Sequence, residues 1–319
     1  GITLSIAAAM TGADFGRIEQ LPDASGMRDG VAMQRGHLVN YGAPLDQAIR
    51  VAGARIVAVG TAAGADAGEL AAAIDDAIAA GLYVVSHHVL PYDQISLPDF
   101  IAACHAGDVP VIVDAAAEYD LRGFVAAGAD LVITSAHKFL GGLTAGIVAG
   151  RKDLVRAGYL QNFGIGRGMK VGKEGILGAI AALEAWRRQD HDAERRREEA
   201  RVALWQSRLA GLPGLRVELS PDPTGNPVTR LRVHVEPALG RTAWDLAEAM
   251  GIGPRPVFVR DDEIRHGYFE LDPCNLGEGE AEEVADRLAS ELRNLQGRAP
   301  TSFPEWQRRR MRARLAWPD

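Results

Sequence analysis

Between Val51 and Asp153 short apolar runs rich in β-branched residues alternate with stretches of helical periodicity. Residues 55–59 read as a strand, 66–80 as a helix and 82–86 as a strand again. A helix over 95–106, a strand over 109–114, a helix over 119–127 and a strand over 131–135 continue the series. Strands joined by single helices imply right-handed crossovers, so the pattern predicts an α/β domain with a mostly parallel sheet covered on both faces. Residues 174–210 read as one long helical stretch, apolar at first and strongly charged from Arg187 to Arg201, which predicts a connector leaving that domain. After Leu212-Pro213-Gly214-Leu215, short strands over 215–219, 229–235, 256–259 and 266–271 accompany helices near 243–250 and 278–294. They predict a small α+β domain. The expected plan is a large domain over 1–205, a small one over 206–296 and a basic tail over 297–319 that carries five arginines between Arg308 and Arg314, with Trp306 and Trp317. That tail reads as a solvated segment or a subunit contact.

Composition narrows the classes of function. The 319 residues are 47% apolar and 24% charged, as in ordinary globular proteins. A net charge of -7 offers no bulk attraction for a phosphate backbone or an anionic membrane, so neither nucleic acid nor lipid is expected as a partner. No apolar run is long enough to span a bilayer and no signal peptide is evident, which predicts a cytoplasmic protein. Cys104 and Cys274 form no CxxC pair, so neither a disulfide framework nor a zinc site is expected. The chain opens at Gly1 within an apolar helical stretch, which reads as a start inside a domain.

Several expected strands end in polar residues: Ser86-His87-His88, Asp114 and Ser135-Ala136-His137-Lys138. Ligands of open α/β sheets lie beyond such carboxyl ends. Asp114 and Lys138 close successive strands with one helix between them, which puts a carboxylate and an amine at one sheet edge. A pyridoxal phosphate site needs that pair: the lysine forms the Schiff base, and the aspartate keeps the ring nitrogen protonated so that the ring withdraws electrons. Ala115, Ala116 and Ala117 leave room for a flat ring, while Ser135 and His137 offer donors for its phosphate. The apolar setting of Lys138, followed by Phe139-Leu140-Gly141-Gly142, suggests a desolvated amine able to act as nucleophile and base. Adjacent histidines lack the i, i+4 spacing of two ligands on one helix, so no metal is expected at His87 and His88. The run Gly164 to Lys173 fails as a dinucleotide fingerprint, because Met169 stands where a glycine is needed, and as a P-loop, because of Arg167 and Glu174. It remains a glycine-flexible basic loop with Arg167, Lys170 and Lys173, suited to an anion.

These segments resemble the fold-type I pyridoxal-phosphate superfamily, and within it the selenocysteine synthase-like branch that includes D-glucosaminate-6-phosphate ammonia-lyase. The likeness rests on Gln34-Arg35-Gly36-His37, Tyr41-Gly42-Ala43-Pro44, Ser86-His87-His88, the stretch from Val113 to Glu118, Gly128 to Ile133, Ser135 to Lys138, Gly164 to Glu174, and Asp272-Pro273. It implies a sheet of the seven-stranded type in the large domain and pyridoxal 5'-phosphate as cofactor. Lys138 is then the Schiff-base lysine, Asp114 the partner of the ring nitrogen, and His37 the residue stacked on one ring face with Ala116 against the other. One of His87 and His88, preferably His88, sits near the ring hydroxyl. An arginine of the small domain, Arg260 rather than Arg255, takes the substrate carboxylate, with Arg167, Lys170 and His87 as further substrate contacts. The family's phosphate-cupping turn, rich in Ser, Gly and Ala, is expected just before Gly1. The implied activity is an ammonia-lyase or dehydratase that eliminates across the α and β carbons of a small hydroxylated or sugar-derived amino acid, yielding a 2-keto acid and ammonia. Racemisation, aldol cleavage or transfer onto an aminoacrylate are alternatives for the same cofactor, and a catalytically silent partner subunit is another. A homodimer or higher homo-oligomer is implied as well.

Overall fold

The structure is a computed structural model and describes residues 1–90, 92–295 and 299–316. Its contacts divide the chain into two units, the first ending at Gln189 and the second beginning at Asp190.

In the first unit β1 (Gly30–Gln34), β2 (Arg55–Val59), β3 (Ile78–Val84), β4 (Val111–Asp114), β5 (Leu131–Ser135) and β6 (Gly146–Gly150) form one sheet in the order β2-β1-β3-β4-β5-β6. All neighbours are parallel except β6, which runs antiparallel to β5. Among the described residues the sheet has six strands, one fewer than the resemblance implies. Successive residues of a strand serve opposite cores. Leu82, Ile112 and Ile133 pack with Ile2 and Ile6 of the helix Ile2–Thr11. Val111, Val113 and Val132 pack with Phe100 and Cys104 of the helix Leu97–Ala106. Burial on both faces is why these strands are apolar without alternation.

Several boundaries depart from the pattern. The helix expected over 66–80 is Ala67–Ala73, started by an Asp66–Glu69 capping box, and Ile78 already begins β3. Ala79 and Ala80 are good helix formers by propensity, and burial between β1 and β4 overrides that preference and makes the segment strand. The helix expected over 119–127 contracts to Gly123–Ala126. The central strand β1 carries only one β-branched residue, Val31, and β6 is bracketed by Gly146 and Gly150; neither stands out in the pattern.

The stretch 174–210 is two helices, Lys173–Arg188 and His191–Leu209, parted where Asp190 accepts the Ala193 N–H at 2.9 Å and starts the second. This corrects the boundary at 205. Val202, Trp205 and Leu209 belong to the second core, and the Trp205 indole N–H donates to the Ala281 carbonyl at 2.8 Å. In that unit β7 (Leu215–Pro221), β8 (Thr229–Val235) and β9 (Tyr268–Leu271) form an antiparallel sheet in that order, packed with the helices Ala243–Met250 and Glu280–Asn294. The strand expected over 256–259 is absent; its neighbour Arg260 makes only an isolated bridge to Glu270. The expected tail is also corrected in part. Phe303–Leu315 is a helix whose Trp306, 8% exposed, packs with Phe303 and Trp244 in the second core. Trp317 lies outside the described residues.

Candidate active site

The carboxyl ends of β3, β4 and β5 are in register, with Val84 opposite Asp114 and Asp114 opposite Ile133. The ladder runs on past the strands. Val85 N–H donates to the Asp114 carbonyl at 2.9 Å, Ala115 N–H to Ile133 at 3.0 Å, and Ser135 N–H to Ala116 at 3.2 Å. Asp114 is only 8% exposed. Burial raises its carboxyl above the usual range, opposed by the charge of Lys138 and by the Ala116 N–H. The carboxylate and the amine picked out in the sequence thus lie at one sheet edge, close enough for the Lys138 charge to act on Asp114, with Ala116 and Ser135 on the same ladder.

Lys138 sits on a tight turn after β5. Gly141 N–H donates to the Lys138 carbonyl at 2.9 Å and Gly142 N–H to Ala136 at 2.7 Å. Only glycine suits position 142, since a Cβ would stand 2.8 Å from the Ala136 oxygen and 2.6 Å from the Ala182 methyl. Phe139 meets the Tyr119 ring edge-on at 5.5 Å, and Tyr119 rests on Trp186 at 4.6 Å. Leu140 takes the core side of the turn while Lys138 is exposed, in place of the desolvated amine expected from its apolar neighbours. Local hydrophobicity reported on the buttress, not on the amine.

His37, expected against the cofactor ring, ends the short 3-10 turn Arg35–His37 after β1 and is 1% exposed. Nδ1 accepts the Val84 N–H at 3.0 Å, and the ring meets Tyr83 edge-on at 4.6 Å. Burial pushes its pKa down to about 4. His37 is therefore a neutral strut that fixes the end of β3 beside Asp114. The unfolded chain takes up this proton near pH 6.5 and the folded chain only near 4, so the first unit should lose stability as pH falls through that window. Thermal melts at pH 7 and pH 5 of wild type and His37→Gln check it: the fall should be smaller in the variant, and an equal fall removes the assignment.

His87 and His88 follow β3 half-buried, with ring centroids 3.9 Å apart, and the His88 N–H donates to Ser86 Oγ at 3.2 Å. His137 is exposed on the Lys138 turn. Tyr41, quoted in the sequence motif but given no role there, also reaches this edge. Burial and then the Asp114 charge raise its phenol pKa. Its loop is closed by the Asn40–Pro44 bridge and by Gly42 N–H to Asn40 Oδ1 at 3.0 Å. Only the sheet order, which sets β1 two places from β4, brings it there.

Arg167 lies in the 3-10 turn Ile165–Met169 and Lys170 just after it; both are exposed, and among the described residues neither makes an ion pair or side-chain hydrogen bond. Arg260 belongs to the second unit, where it contacts Asp272 at 3.4 Å and Asp262 at 3.8 Å. Arg255 is exposed and paired with Glu283.

A buried carboxyl beside an amine, the small residues Ala116 and Ala117 for a flat ring, and hydroxyl and imidazole donors at the same edge form a donor set that fits pyridoxal phosphate. Comparison with known proteins agrees. Residues 22–203 match the family model of L-seryl-tRNA selenium transferase. The chain is 39% identical over 289 residues to the D-glucosaminate-6-phosphate ammonia lyase of Salmonella typhimurium, covering 90% of this chain and 77% of that one. It is 37% identical over 308 residues to the 5'-C-glycyluridine monooxygenase-decarboxylase of a Streptomyces species, covering 96% and 77%. A solved structure of D-glucosaminate-6-phosphate ammonia-lyase superposes with a TM-score of 0.80 at 38% identity, covering 92% of this chain and 79% of that one. The chain belongs to the L-seryl-tRNA selenium transferase family, a selenocysteine synthase-like branch of the fold-type I enzymes that use pyridoxal 5'-phosphate.

Proposed function

We propose that this protein is a lyase that eliminates water across the α and β carbons of a sugar-derived α-amino acid and releases a 2-keto acid and ammonia. The observation that carries this reading is the Asp114–Lys138 pair in a chain 39% identical, over 90% of its length, to an ammonia lyase of a sugar-derived amino acid. Bound pyridoxal phosphate supplies a sink for the electron pair left when the α C–H bond breaks. Asp114, held in a poorly solvated position, would present its carboxylate to the ring nitrogen, and Lys138 would accept the α proton on Nζ. The β-hydroxyl would then take that proton back from Lys138 Nζ and depart as water, and the enamine product hydrolyses to the keto acid and ammonia. Exposure suits Lys138 to this task, because it must hold the cofactor and then swing free. His88, Ser135 and His137 are assigned to the cofactor and Ala116 to one ring face, while His37 acts by holding β3. Arg260 takes the substrate carboxylate, Arg167 and Lys170 an anionic group at the other end of the substrate, and His87 is a further contact.

A second reading has its own support, the 37% identity over 96% of the chain to a monooxygenase-decarboxylase of glycyluridine. Both relatives' names describe an amino acid built on a sugar, so the substrate class is common to the two readings and the reaction separates them. Holoprotein given D-glucosaminate 6-phosphate should release ammonia and keto acid in equal amounts without consuming oxygen. Oxygen uptake and carbon dioxide release with 5'-C-glycyluridine, and no ammonia with the former, would instead select the second reading.

The enzyme works as at least a homodimer and in the cytoplasm. Ile176, Leu177 and Ile180 on the helix Lys173–Arg188, together with Leu143, form an exposed apolar face that a second copy would cover. No helix among the described residues is long and apolar enough to cross a membrane.

A further inference from the structure

Arg260 is oriented without being saturated. Its backbone exchanges two hydrogen bonds with Glu270, at 3.0 and 2.9 Å, which fixes where the side chain begins. Its NH1 reaches Asp272 Oδ2 at 3.4 Å, but Arg230 Nε already holds that oxygen at 2.7 Å. Its NH2 lies 3.8 Å from Asp262. Both contacts are long for charge-assisted bonds, so most of the five guanidinium donors stay available to another carboxylate.

The next residue, Asp261, is gripped from the C-terminal helix Phe303–Leu315. Arg310 reaches both of its carboxylate oxygens, the NH2 to Oδ1 contact being 3.3 Å. The Arg310 guanidinium also lies over the ring of Trp306, 5.1 Å from its centroid, and Trp306 is anchored in the second core. A second grip lies four residues on, where the Arg265 guanidinium stands 4.9 Å over Phe303 of the same helix. The turn after Arg260 is therefore tied at two points to a helix that is itself seated by a tryptophan.

We propose that the helix Phe303–Leu315 is a positioning element for Arg260, acting through the Arg310–Asp261 pair to set its affinity for a substrate carboxylate. This deepens the assignment of Arg260 above and rests on it. Two effects run through the pair. Arg310 holds the turn, and it neutralises Asp261, which would otherwise join Asp262 and Asp272 as a competitor for the Arg260 guanidinium. Arg310 acts through Asp261 and the turn, without touching substrate.

The test is calorimetric binding of D-gluconate 6-phosphate, an amine-free analogue of the proposed substrate, to the holoprotein. Arg260→Gln should lose about a hundredfold in affinity. Arg310→Gln should weaken binding about fivefold or more, and the same substitution in an Asp261→Asn background should add nothing, because its route is already cut. Arg310→Lys keeps the charge but not the two-pronged grip and should fall between; it stands in if the glutamine variant does not fold. Unchanged affinity in the Arg310 variants, or an equal loss in both backgrounds, overturns the proposal while leaving Arg260 as the carboxylate residue. Wild-type affinity in Arg260→Gln, or no binding by wild type, overturns the assignment of Arg260 and the positioning role with it.

Discussion

Lys138→Ala should abolish the visible absorbance of lysine-bound cofactor and lower kcat by about a thousandfold or more, since the proposed assignment gives one residue both the covalent tether and the base. The fold should survive. Lys138 is exposed on a turn held by Gly141, Gly142 and the Phe139–Tyr119 contact, none of which uses its side chain. Melting temperatures within a degree or two of wild type, with activity gone, are the expected outcome. The variant also has an electrostatic signature. The Lys138 charge offsets the effect of burial on Asp114, so its loss should move that carboxyl further upward. Borohydride reduction of wild-type holoprotein followed by peptide mapping should place the cofactor on Lys138. A variant that kept turnover, or a label on another lysine, would remove the central assignment.

Arg230→Met should produce the largest loss of stability. Arg230 is 3% exposed and lies between Asp222 and Asp272, with 2.7 Å contacts to each. Burial tends to raise the Asp222 carboxyl, but hydrogen bonds from Thr224 and Arg230 bring it below its ordinary value. Removing the cation leaves two poorly solvated carboxylates without it, a loss of about 3–5 kcal/mol. The sign with pH is distinctive. In wild type both carboxylates have depressed pKa values, so their stabilisation is present above about pH 4 and is lost as pH falls through the folded values. In the variant the carboxylates left without Arg230 relieve their penalty by protonation, so the gap in melting temperature should narrow between pH 7 and pH 4. A variant that melts with wild type at pH 7 would show that the Arg230 contacts to Asp222 and Asp272 do not support the second unit. Asp272 also contacts Arg260, so weaker carboxylate binding should accompany the loss.

The alternation of apolar runs with helical stretches predicted the layered parallel sheet, because both faces of each strand are buried and hydrophobicity alone specifies that. It mislaid β1, whose Gly30-Val31-Ala32-Met33-Gln34 carries little β-branching, and it read the first residues of β3 as helix. Both segments are strand because of their neighbours, a cause that lies outside any local window. The division at Gln189 was likewise invisible. A helical period continues through Gln189 and Asp190, and only the packing of Trp205 and Leu209 in the second core shows to which unit the later helix belongs.

By itself the sequence determined the chemistry available: Asp114 and Lys138 at successive strand ends, alanines beside them, and family segments that specify the cofactor. Those features are local, and strand order and crossover hand carry them to one edge. Tertiary structure alone decided exposure and partnership. It folded His37 under β3 as a neutral strut, lifted Lys138 off the core, carried Tyr41 to Asp114, and tied Asp261 beside Arg260 to Arg310, 49 residues along the chain. The physical reason is that burial and ion pairing depend on distances in space between groups far apart in the chain, which periodicity does not encode.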